Sequence, residues 1–397
     1  MTERTNLSLE DYRWDAQGCC GCRGCIYVDY VFCEGAKNPF RCPSLIRYNF
    51  DVYTALGRGK VALRMLNKQG DYTDSTRDIL YKCNLCGACD AGCKRNLDLD
   101  PLMVMETFRI WAVDNGHEPP EGLKKVNDTI TASDNRYGAP HDKRADWLPA
   151  DAKISEKPEM LYFVGCNSSY KSNAIALATI GILEEAGVEY ALFPDEKCCG
   201  HSMYVSGELD ATIKQAEKNI AALKASGADT IVTSCAECYK TWKVDYPKIM
   251  DKRTDEMGYK VVNITELAAE KIEDETLKPS HEVNMTVTYH DSCNMARLAD
   301  DWVPWHGTRE RFGCTKPIKE YRRCDTGRYK QPRAVLKSIP GLKLKETSRK
   351  KENTLCCGAG GGVADAYPDF AQDTAKDRLN EISETGAEAI VAGCPYC

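Results

Sequence analysis

Ten cysteines in the second half of the chain follow one pattern twice, and each offers a thiolate sulfur. Each copy contains a single cysteine, an adjacent pair followed by glycine, and a CxxC motif. The first copy comprises Cys166, Cys198, Cys199, Cys235 and Cys238, and the second comprises Cys293, Cys356, Cys357, Cys394 and Cys397. From the pair to the CxxC motif, the gap is thirty-five residues in the first copy and thirty-six in the second. This spacing indicates two duplicated sets of metal ligands.

The number of thiols in each set restricts what it can bind. Soft thiolate ligands select zinc, copper(I) or iron-sulfur centres. A structural zinc site closes with four ligands, and an ordinary four-iron cubane also takes four. Five thiolates per set therefore indicate a cluster of more open shape or a four-ligand site with a spare thiol, with zinc at one set as the alternative.

A second group of cysteines, near the N-terminus, has the spacing of ferredoxin-type sites. One run is a complete C-x2-C-x2-C-x3-C and the other a shorter C-x2-C-x2-C. Cys33 and Cys42 compete to complete the shorter run, and Cys42 is favoured because Pro43 follows it. In two-cluster ferredoxins the fourth cysteine of each run ligates the other cluster. The expected sets are Cys19, Cys22, Cys25 and Cys93 for one site, and Cys42, Cys83, Cys86 and Cys89 for the other.

The cysteine spacing and the two CCG tripeptides resemble the cysteine-rich CCG domain of heterodisulfide reductase, found in its B subunit and in the second part of its D subunit. The resemblance covers about residues 158 to 397. It implies a noncubane [4Fe-4S] cluster in each complete set, with a heterodisulfide cleaved between them. Residues 1 to 115 resemble the helical ferredoxin of the C subunit, which implies two cubane [4Fe-4S] clusters.

The second copy departs from the family in the spacing of its cysteines. Sixty-two residues separate Cys293 from Cys356, whereas thirty-one separate Cys166 from Cys198. The inserted segment, residues 300 to 333, is basic, with nine Lys/Arg against three acidic residues between Thr308 and Arg333. Such a segment either binds a phosphate-bearing substrate or an acidic partner subunit, or is a solvated or subunit-packing loop; the second interpretation is favoured.

Short apolar strands that alternate with helices must position the ten duplicated cysteines. Each cysteine group follows a strand, and open α/β sheets bind their ligands at the carboxyl ends of strands. The predicted strands are 161–164, 190–193, 230–233, 287–289, 342–344 and 389–391, and the predicted helices are 52–66, 101–114, 174–186, 210–225 and 370–383.

The predicted fold class is therefore α+β and multidomain. An α-helical ferredoxin-like domain is expected at 1–115, with residues 1–18 as a mobile arm, and an extended linker at 116–157. Two duplicated α/β CCG lobes follow at 158–280 and 281–397.

Several other residues near the cysteines are candidates for a role. His201 and His290 each lie beside a cysteine set, where a histidine either donates a proton in disulfide cleavage or hydrogen-bonds cluster sulfurs; the second role is favoured. The glycine run 358–362 lacks a dinucleotide fingerprint, so we expect close approach of its backbone to a bulky cluster instead. Cys20, Cys314 and Cys324 have no assigned role.

Composition excludes some classes of function and leaves the partners open. A net charge of −6 argues against nucleic-acid binding, and the sequence shows neither a secretory signal nor an apolar run long enough to cross a membrane. We expect a cytoplasmic protein that reaches a membrane only through a partner subunit. That partner would be a redox subunit with flavin or iron-sulfur centres, or a membrane cytochrome.

Three functions are compatible with these motifs. The first is an enzyme that reduces or forms a disulfide at the paired clusters. The second is an electron-transfer subunit of an anaerobic complex, similar to the D subunit of class II benzoyl-CoA reductase. The third, the alternative, is the iron-sulfur subunit of a flavin-dependent glycolate- or lactate-type 2-hydroxy-acid dehydrogenase.

The metal content of the anaerobically purified protein distinguishes iron from zinc. Four four-iron clusters would supply about sixteen iron atoms per chain, with matching sulfide and little zinc. Elemental and sulfide analysis measures both. A result of about eight iron atoms with stoichiometric zinc would instead mean that the CCG sets are structural metal sites.

Overall fold

The computed structural model describes residues 7–28, 39–94, 97–310, 313–321 and 323–397. It combines helices with small parallel sheets, as the sequence predicted. Cys33, one of the two candidates for the fourth ferredoxin ligand, lies outside the described residues. Among the helices formed by the described residues, none is both long and apolar enough to cross a bilayer.

The N-terminal region is helical. Thr54 and Thr73 accept backbone N–H groups at the starts of the third and fourth helices, and Pro101 opens the sixth, as expected at helix N-termini. Both helices predicted here are confirmed, although the first begins at Ala55. The helices are α1 (Arg13–Gly18), α2 (Pro43–Tyr48), α3 (Ala55–Leu66), α4 (Asp74–Tyr81), α5 (Ala88–Cys93) and α6 (Pro101–Asp114).

The expectation of a mobile arm is wrong for residues 7–18. Leu7, Leu9, Tyr12 and Ala16 are buried in the core that surrounds α6. These apolar side chains are separated by polar residues in the sequence, so the segment reads as polar. Packing against α3 and α6 buries their apolar surface and holds the segment in place.

The extended conformation expected for 116–157 is also wrong in part. Helix α7 (Glu121–Ser133) buries Leu123, Asn127 and Ile130 on one face, and a 3₁₀ helix spans His141–Ala145. Pro120 directly precedes the first residue of α7, a position where proline costs no helical hydrogen bond. The prolines therefore limit this helix without preventing it.

A four-stranded parallel sheet forms the first lobe, with strand order β2-β1-β3-β4. The three strands predicted for this copy are confirmed to within one residue. Its strands are β1 (Met160–Phe163), β2 (Tyr190–Leu192), β3 (Thr230–Thr233) and β4 (Lys260–Asn263). Its helices are α8 (Cys166–Tyr170), α9 (Asn173–Glu185), α10 (His201–Ser206), α11 (Leu209–Ser226), α12 (Ala236–Lys240), α13 (Tyr246–Ile249) and α14 (Ile264–Glu273), with a π-helical turn at Thr241–Asp245.

The second lobe repeats this arrangement with a three-stranded parallel sheet, in the order β8-β5-β9. The central strand, β5, corresponds to β1 of the first lobe, and it leads to Cys293 as β1 leads to Cys166. The elements are β5 (Thr286–His290), β6 (Thr308–Arg309), β7 (Thr315–Lys316), α15 (Lys330–Ser338), β8 (Lys343–Lys345), α16 (Val363–Ala366), α17 (Pro368–Ser383) and β9 (Ala389–Ala392).

The basic insertion packs against the protein through its positive charges. Five of its cations pair with carboxylates of other segments, and several of these carboxylates are buried. The pairs are Arg309 with Asp15, Lys319 with Asp100, Arg323 with Asp90, Arg328 with Glu266, and Arg333 with Asp291. The expectation of a solvated loop is therefore wrong for the described part of the insertion, which packs within its own chain. Packing against another subunit stays a prediction.

A buried ionic cluster joins the N-terminal region to the first lobe. The Glu106 carboxylate on α6 accepts hydrogen bonds from Lys248 Nζ and Tyr204 Oη, each at 2.8 Å, and Arg323 lies 3.5 Å away. Burial opposes ionisation, yet Lys248 and Arg323 hold the pKa of Glu106 well below its usual range. Glu106 therefore stays charged and ties three segments together.

Removing one partner of this cluster should destabilise the fold. The Lys248→Met variant leaves the Glu106 charge without its nearest cation, which costs about 3–5 kcal/mol of unfolding free energy for a buried pair. The Glu106→Leu/Lys248→Met double variant removes both charges and should lose much less. Anaerobic urea denaturation measures both variants, and an equal loss in the two would contradict this account of the cluster.

Candidate functional site

The first N-terminal cysteine site, called the outer site here, lies between α1, α3 and α5. Cys19, Cys22, Cys25 and Cys93 line a single pocket, together with apolar side chains such as Leu56. Cys19 directly follows the last residue of α1 and Cys93 ends α5. The structure thus brings the three cysteines of the short run together with the last cysteine of the complete run.

The second site, called the inner site, gathers the other four ferredoxin-type cysteines. Cys42, Cys83, Cys86 and Cys89 line a pocket that Cys25 of the outer site also reaches. Cys42 lies just before α2, and the other three lie between α4 and α5 or within α5. Each pocket is thus lined by the four cysteines that the sequence assigned to one site, and their grouping as cluster ligands stays a prediction.

The first CCG set converges at the carboxyl end of the first sheet. Cys166 follows β1, the Cys198–Cys199 pair follows β2, and Cys235 with Cys238 follows β3. The thiols form a continuous series of contacts, from Cys166 through Cys198, Cys199 and Cys238 to Cys235. All five side chains are buried.

The second CCG set has the same order of contacts at the end of the second sheet. The Cys293 thiol contacts Cys356, which contacts Cys357, and Cys397 links Cys357 to Cys394. One nitrogen of the His290 ring lies within 4.8 Å of the Cys357 and Cys397 sulfurs. An imidazole and two thiols are also a donor set that zinc accepts.

The glycine of each CCG tripeptide has the same role in both lobes. The Gly200 N–H donates to the Cys198 sulfur at 3.5 Å, and the Gly358 N–H donates to the Cys356 sulfur at 3.4 Å. Gly358 adopts φ +100°, and a Cβ atom there would lie 2.3 Å from the Ala371 carbonyl oxygen. Only glycine fits this turn, which explains why it follows the cysteine pair.

Two thiol contacts join the cysteine sites to one another. The Cys86 thiol of the inner site contacts Cys356 of the second CCG set. The Cys394 thiol of that set contacts Cys235 of the first CCG set. The order in space is therefore outer site, inner site, second CCG set and first CCG set.

The glycine run 358–362 helps to join the inner site to the second lobe. The Asn84 side chain donates to the Gly358 carbonyl at 2.6 Å, and a Cβ atom on Gly361 would lie 2.8 Å from the Cys83 carbonyl oxygen. The glycine run does make a close backbone approach, and its neighbour is the backbone of the inner site. The expected approach to a cluster stays a prediction.

The two histidines differ in their surroundings. His290 accepts a hydrogen bond at Nδ1 from Arg378 Nε at 3.2 Å, and it lies beside the Cys357 thiol. His201 lies 3.3 Å from the Thr241 hydroxyl and 3.9 Å from the Glu237 carboxylate. Burial and nearby Lys240 lower the pKa of His201 to about 4, so its ring is neutral at pH 7.

Two acidic residues near the first set, of which Glu196 is buried and Glu237 is largely buried, were not identified from the sequence. Glu237 lies inside the CxxC motif, and burial together with the nearby Cys394 thiol raises its pKa. Glu196 accepts the Val164 and Gly165 N–H groups at 2.7 and 2.9 Å and pairs with Arg144, whose other nitrogen lies 3.8 Å from the Cys166 sulfur. Of the two, only Glu237 could have been identified from the sequence, because it lies between two predicted ligands.

The unassigned cysteines lie apart from these sets to different degrees. Cys20 and Cys314 are exposed. Cys324 is largely buried, and its thiol donates to the Arg297 carbonyl at 3.7 Å. No described contact adds Cys20 or Cys314 to a candidate site.

The donor atoms fit iron-sulfur clusters. All twenty-one cysteines in the described part of the chain carry free thiols, although many lie in mutual contact. Buried sulfur donors that converge without disulfides are the ligands that iron-sulfur clusters require.

Comparison with known proteins agrees with this chemistry. Residues 160–243 and 313–397 each match the family model described as CCG, a cysteine-rich domain. Over 325 residues the chain is 32% identical to the D subunit of the dihydromethanophenazine:CoB–CoM heterodisulfide reductase of Methanosarcina acetivorans, covering 81% of this chain and 72% of that protein. The chain belongs to the family of heterodisulfide reductase D subunits. It is an iron-sulfur oxidoreductase subunit.

Other relatives extend this family beyond one enzyme. The B subunit of the fumarate reductase (CoM/CoB) of Methanothermobacter marburgensis is 28% identical, over 98% of this chain and 69% of that protein. The probable iron-sulfur-binding oxidoreductase FadF of Bacillus subtilis is 26% identical, over 81% of this chain and 43% of that protein. The second CCG match begins at residue 313 and omits Cys293, whose thiol nevertheless contacts Cys356 in the structure.

The crossed grouping of the N-terminal cysteines can be tested with alanine variants. Cys93→Ala and Cys22→Ala should each abolish the same cluster, although the two cysteines belong to different runs, with a loss of about four iron atoms. Cys42→Ala and Cys83→Ala should abolish the other cluster. Anaerobic iron analysis and EPR spectra of the reduced protein measure this, with Cys20→Ala as the control. Loss of one common signal in Cys93→Ala and Cys83→Ala would contradict the grouping.

Proposed function

We propose that this chain is the electron-transfer subunit of a multisubunit oxidoreductase and that it carries four iron-sulfur clusters. The outer and inner sites would hold two cubane [4Fe-4S] clusters, and the two CCG sets would hold two noncubane [4Fe-4S] clusters. Such clusters supply one-electron transfer, with potentials that the surrounding protein adjusts. The proposed ligands are Cys19, Cys22, Cys25 and Cys93; Cys42, Cys83, Cys86 and Cys89; Cys166, Cys198, Cys199, Cys235 and Cys238; and Cys293, Cys356, Cys357, Cys394 and Cys397.

The observation that carries this proposal is the unbroken series of thiol contacts. Cys25 lines the pockets of both N-terminal sites, Cys86 contacts Cys356, and Cys394 contacts Cys235. Metal sites that only stabilise a fold do not require four groups of thiols in contact with one another. This arrangement supports a relay from the outer site to the first CCG set.

The two ends of the series suggest different roles. The outer site includes Cys22, which is exposed, and so it faces a redox partner. At the junction of the two CCG sets Cys235 is buried and Cys394 is partly buried, and the carboxyl of Glu237 lies near thiols of both sets. A thiol or disulfide substrate would react there, where His201 and Glu237 can orient it by hydrogen bonding.

The partners are proposed from the same features. The relatives from the heterodisulfide reductase and the fumarate reductase are, by name, parts of larger enzymes. We therefore infer a partner subunit that exchanges electrons at the outer site and contains flavin, iron-sulfur clusters or cytochrome. The chain itself would act in the cytoplasm, at a membrane only through that partner.

The relay can be tested by interrupting its second member. In Cys42→Ala the inner site loses one ligand, whereas neither CCG set is altered. Reduction of the CCG clusters by a reduced ferredoxin should slow at least tenfold, while reduction of the outer cluster stays fast. Freeze-quench EPR follows both, with Cys20→Ala as the control. Unchanged reduction of the CCG clusters in Cys42→Ala would contradict the proposed route.

A further inference from the structure

Three arginine side chains of the core carry charges that no described carboxylate balances. Arg58 is 1% exposed, and Arg109 and Arg297 are 0% exposed. Their guanidinium groups donate to backbone carbonyls and, for Arg58, also to the Ser44 hydroxyl. Buried charges are normally paired, because an isolated charge in a protein interior costs several kcal/mol. These three therefore need an anion other than a carboxylate of the described residues.

Each of the three arginines lies beside a different cysteine of the inner site. Arg58 lines the inner pocket and interacts with the Cys42 thiol. Arg109 donates from Nη2 to the Cys83 carbonyl at 2.7 Å, and its guanidinium group interacts electrostatically with the Cys83 thiol. These contacts place two unpaired cations against one side of the site.

Arg297 completes the set at the boundary with the second lobe. Its Nε donates to the Cys86 carbonyl at 2.6 Å, and its guanidinium group also lies near the thiols of Cys293 and Cys356. Its Nη2 group finds no hydrogen-bond partner among the described residues. An N–H donor thus remains available next to the inner sulfurs.

The outer site is surrounded differently. The cation that lines its pocket, Arg23, is half exposed and pairs with Asp51 at 3.0 Å. The same pocket is lined by the buried carboxylate of Asp15, whose partner is Arg309. Among the described residues that line the outer pocket, no fully buried cation without a carboxylate partner is found.

This asymmetry has a direct consequence for reduction. A cluster held by four thiolates is anionic, and its potential depends on net charge and on hydrogen bonds to its sulfurs. Each added electron is stabilised by nearby positive charge, most strongly in a low-dielectric interior. Because arginine stays protonated throughout the accessible pH range, this charge is fixed.

We propose that Arg58, Arg109 and Arg297 form a cationic cage that holds the reduction potential of the inner site above that of the outer site. The proposal rests on the proposed function, in which both sites hold cubane clusters. Electrons that enter at the outer site then move downhill to the inner site, which lies in contact with the second CCG set. The three arginines are positioning residues, since they act on the cluster ligands.

Charge-removing and charge-conserving variants test the cage. In Arg297→Gln the midpoint potential of the inner cluster should fall by at least 59 mV, the value of a tenfold change in a one-electron equilibrium constant. Arg297→Lys should retain most of the original potential. Arg58→Gln and Arg58→Lys form a second pair, which keeps the test valid if the Arg297 variants fold poorly. Anaerobic redox titration followed by EPR measures all of these.

Controls separate the possible outcomes. The Cys42→Ala and Cys93→Ala spectra assign the signals to the inner and outer clusters, and Arg253→Gln removes an arginine that pairs with Asp255 and Glu320 on the surface. Iron content confirms that each variant is loaded. If the wild type shows no pair of cubane signals, the proposed function fails. If the signals are present but the inner potential stays unchanged in both glutamine variants, or the outer potential falls equally, the cage alone is wrong.

Discussion

Sulfur-to-sulfur contact is the constraint on which the rest of this structure depends. Eighteen cysteines from distant parts of the chain must converge without forming disulfides, and all of them are free thiols in the structure. Thiolates placed this close repel one another unless metal and fixed positive charge balance them. The helices around α6 and the two parallel sheets act together as the frame that brings these sulfurs to adjoining positions.

Ion pairs between segments stabilise that frame in addition to apolar packing. The Glu106 carboxylate pairs with Lys248 of the first lobe and lies near Arg323 of the insertion. Arg323 in turn reaches Asp90, the neighbour of Cys89. The insertion therefore joins three segments through ion pairs. These pairs account for its strongly basic composition without a phosphate ligand.

Much of the site was predictable because metal ligands leave spacing in a sequence. The two CCG sets, the crossed ferredoxin runs and the strands that precede each cysteine group all follow from position alone. The insertion's contacts, the burial of residues 7–18 and helix α7 did not, because their cause lies in tertiary packing. The three buried arginines were also missed: in the sequence Arg58, Arg109 and Arg297 look like ordinary surface cations, and only the fold shows that they lack carboxylate partners among the described residues.

One side of the inner site is formed by residues of the second lobe, which are distant from its cysteines in sequence. Arg297 reaches the Cys86 carbonyl across 211 positions, and Asn84 reaches the Gly358 carbonyl across 274. A ribosome therefore releases all four inner cysteines long before the residues that will cover them. Until the residues around Gly358 have been synthesised, this part of the nascent chain is accessible to cluster insertion and to oxygen alike, and docking of the second lobe then covers it.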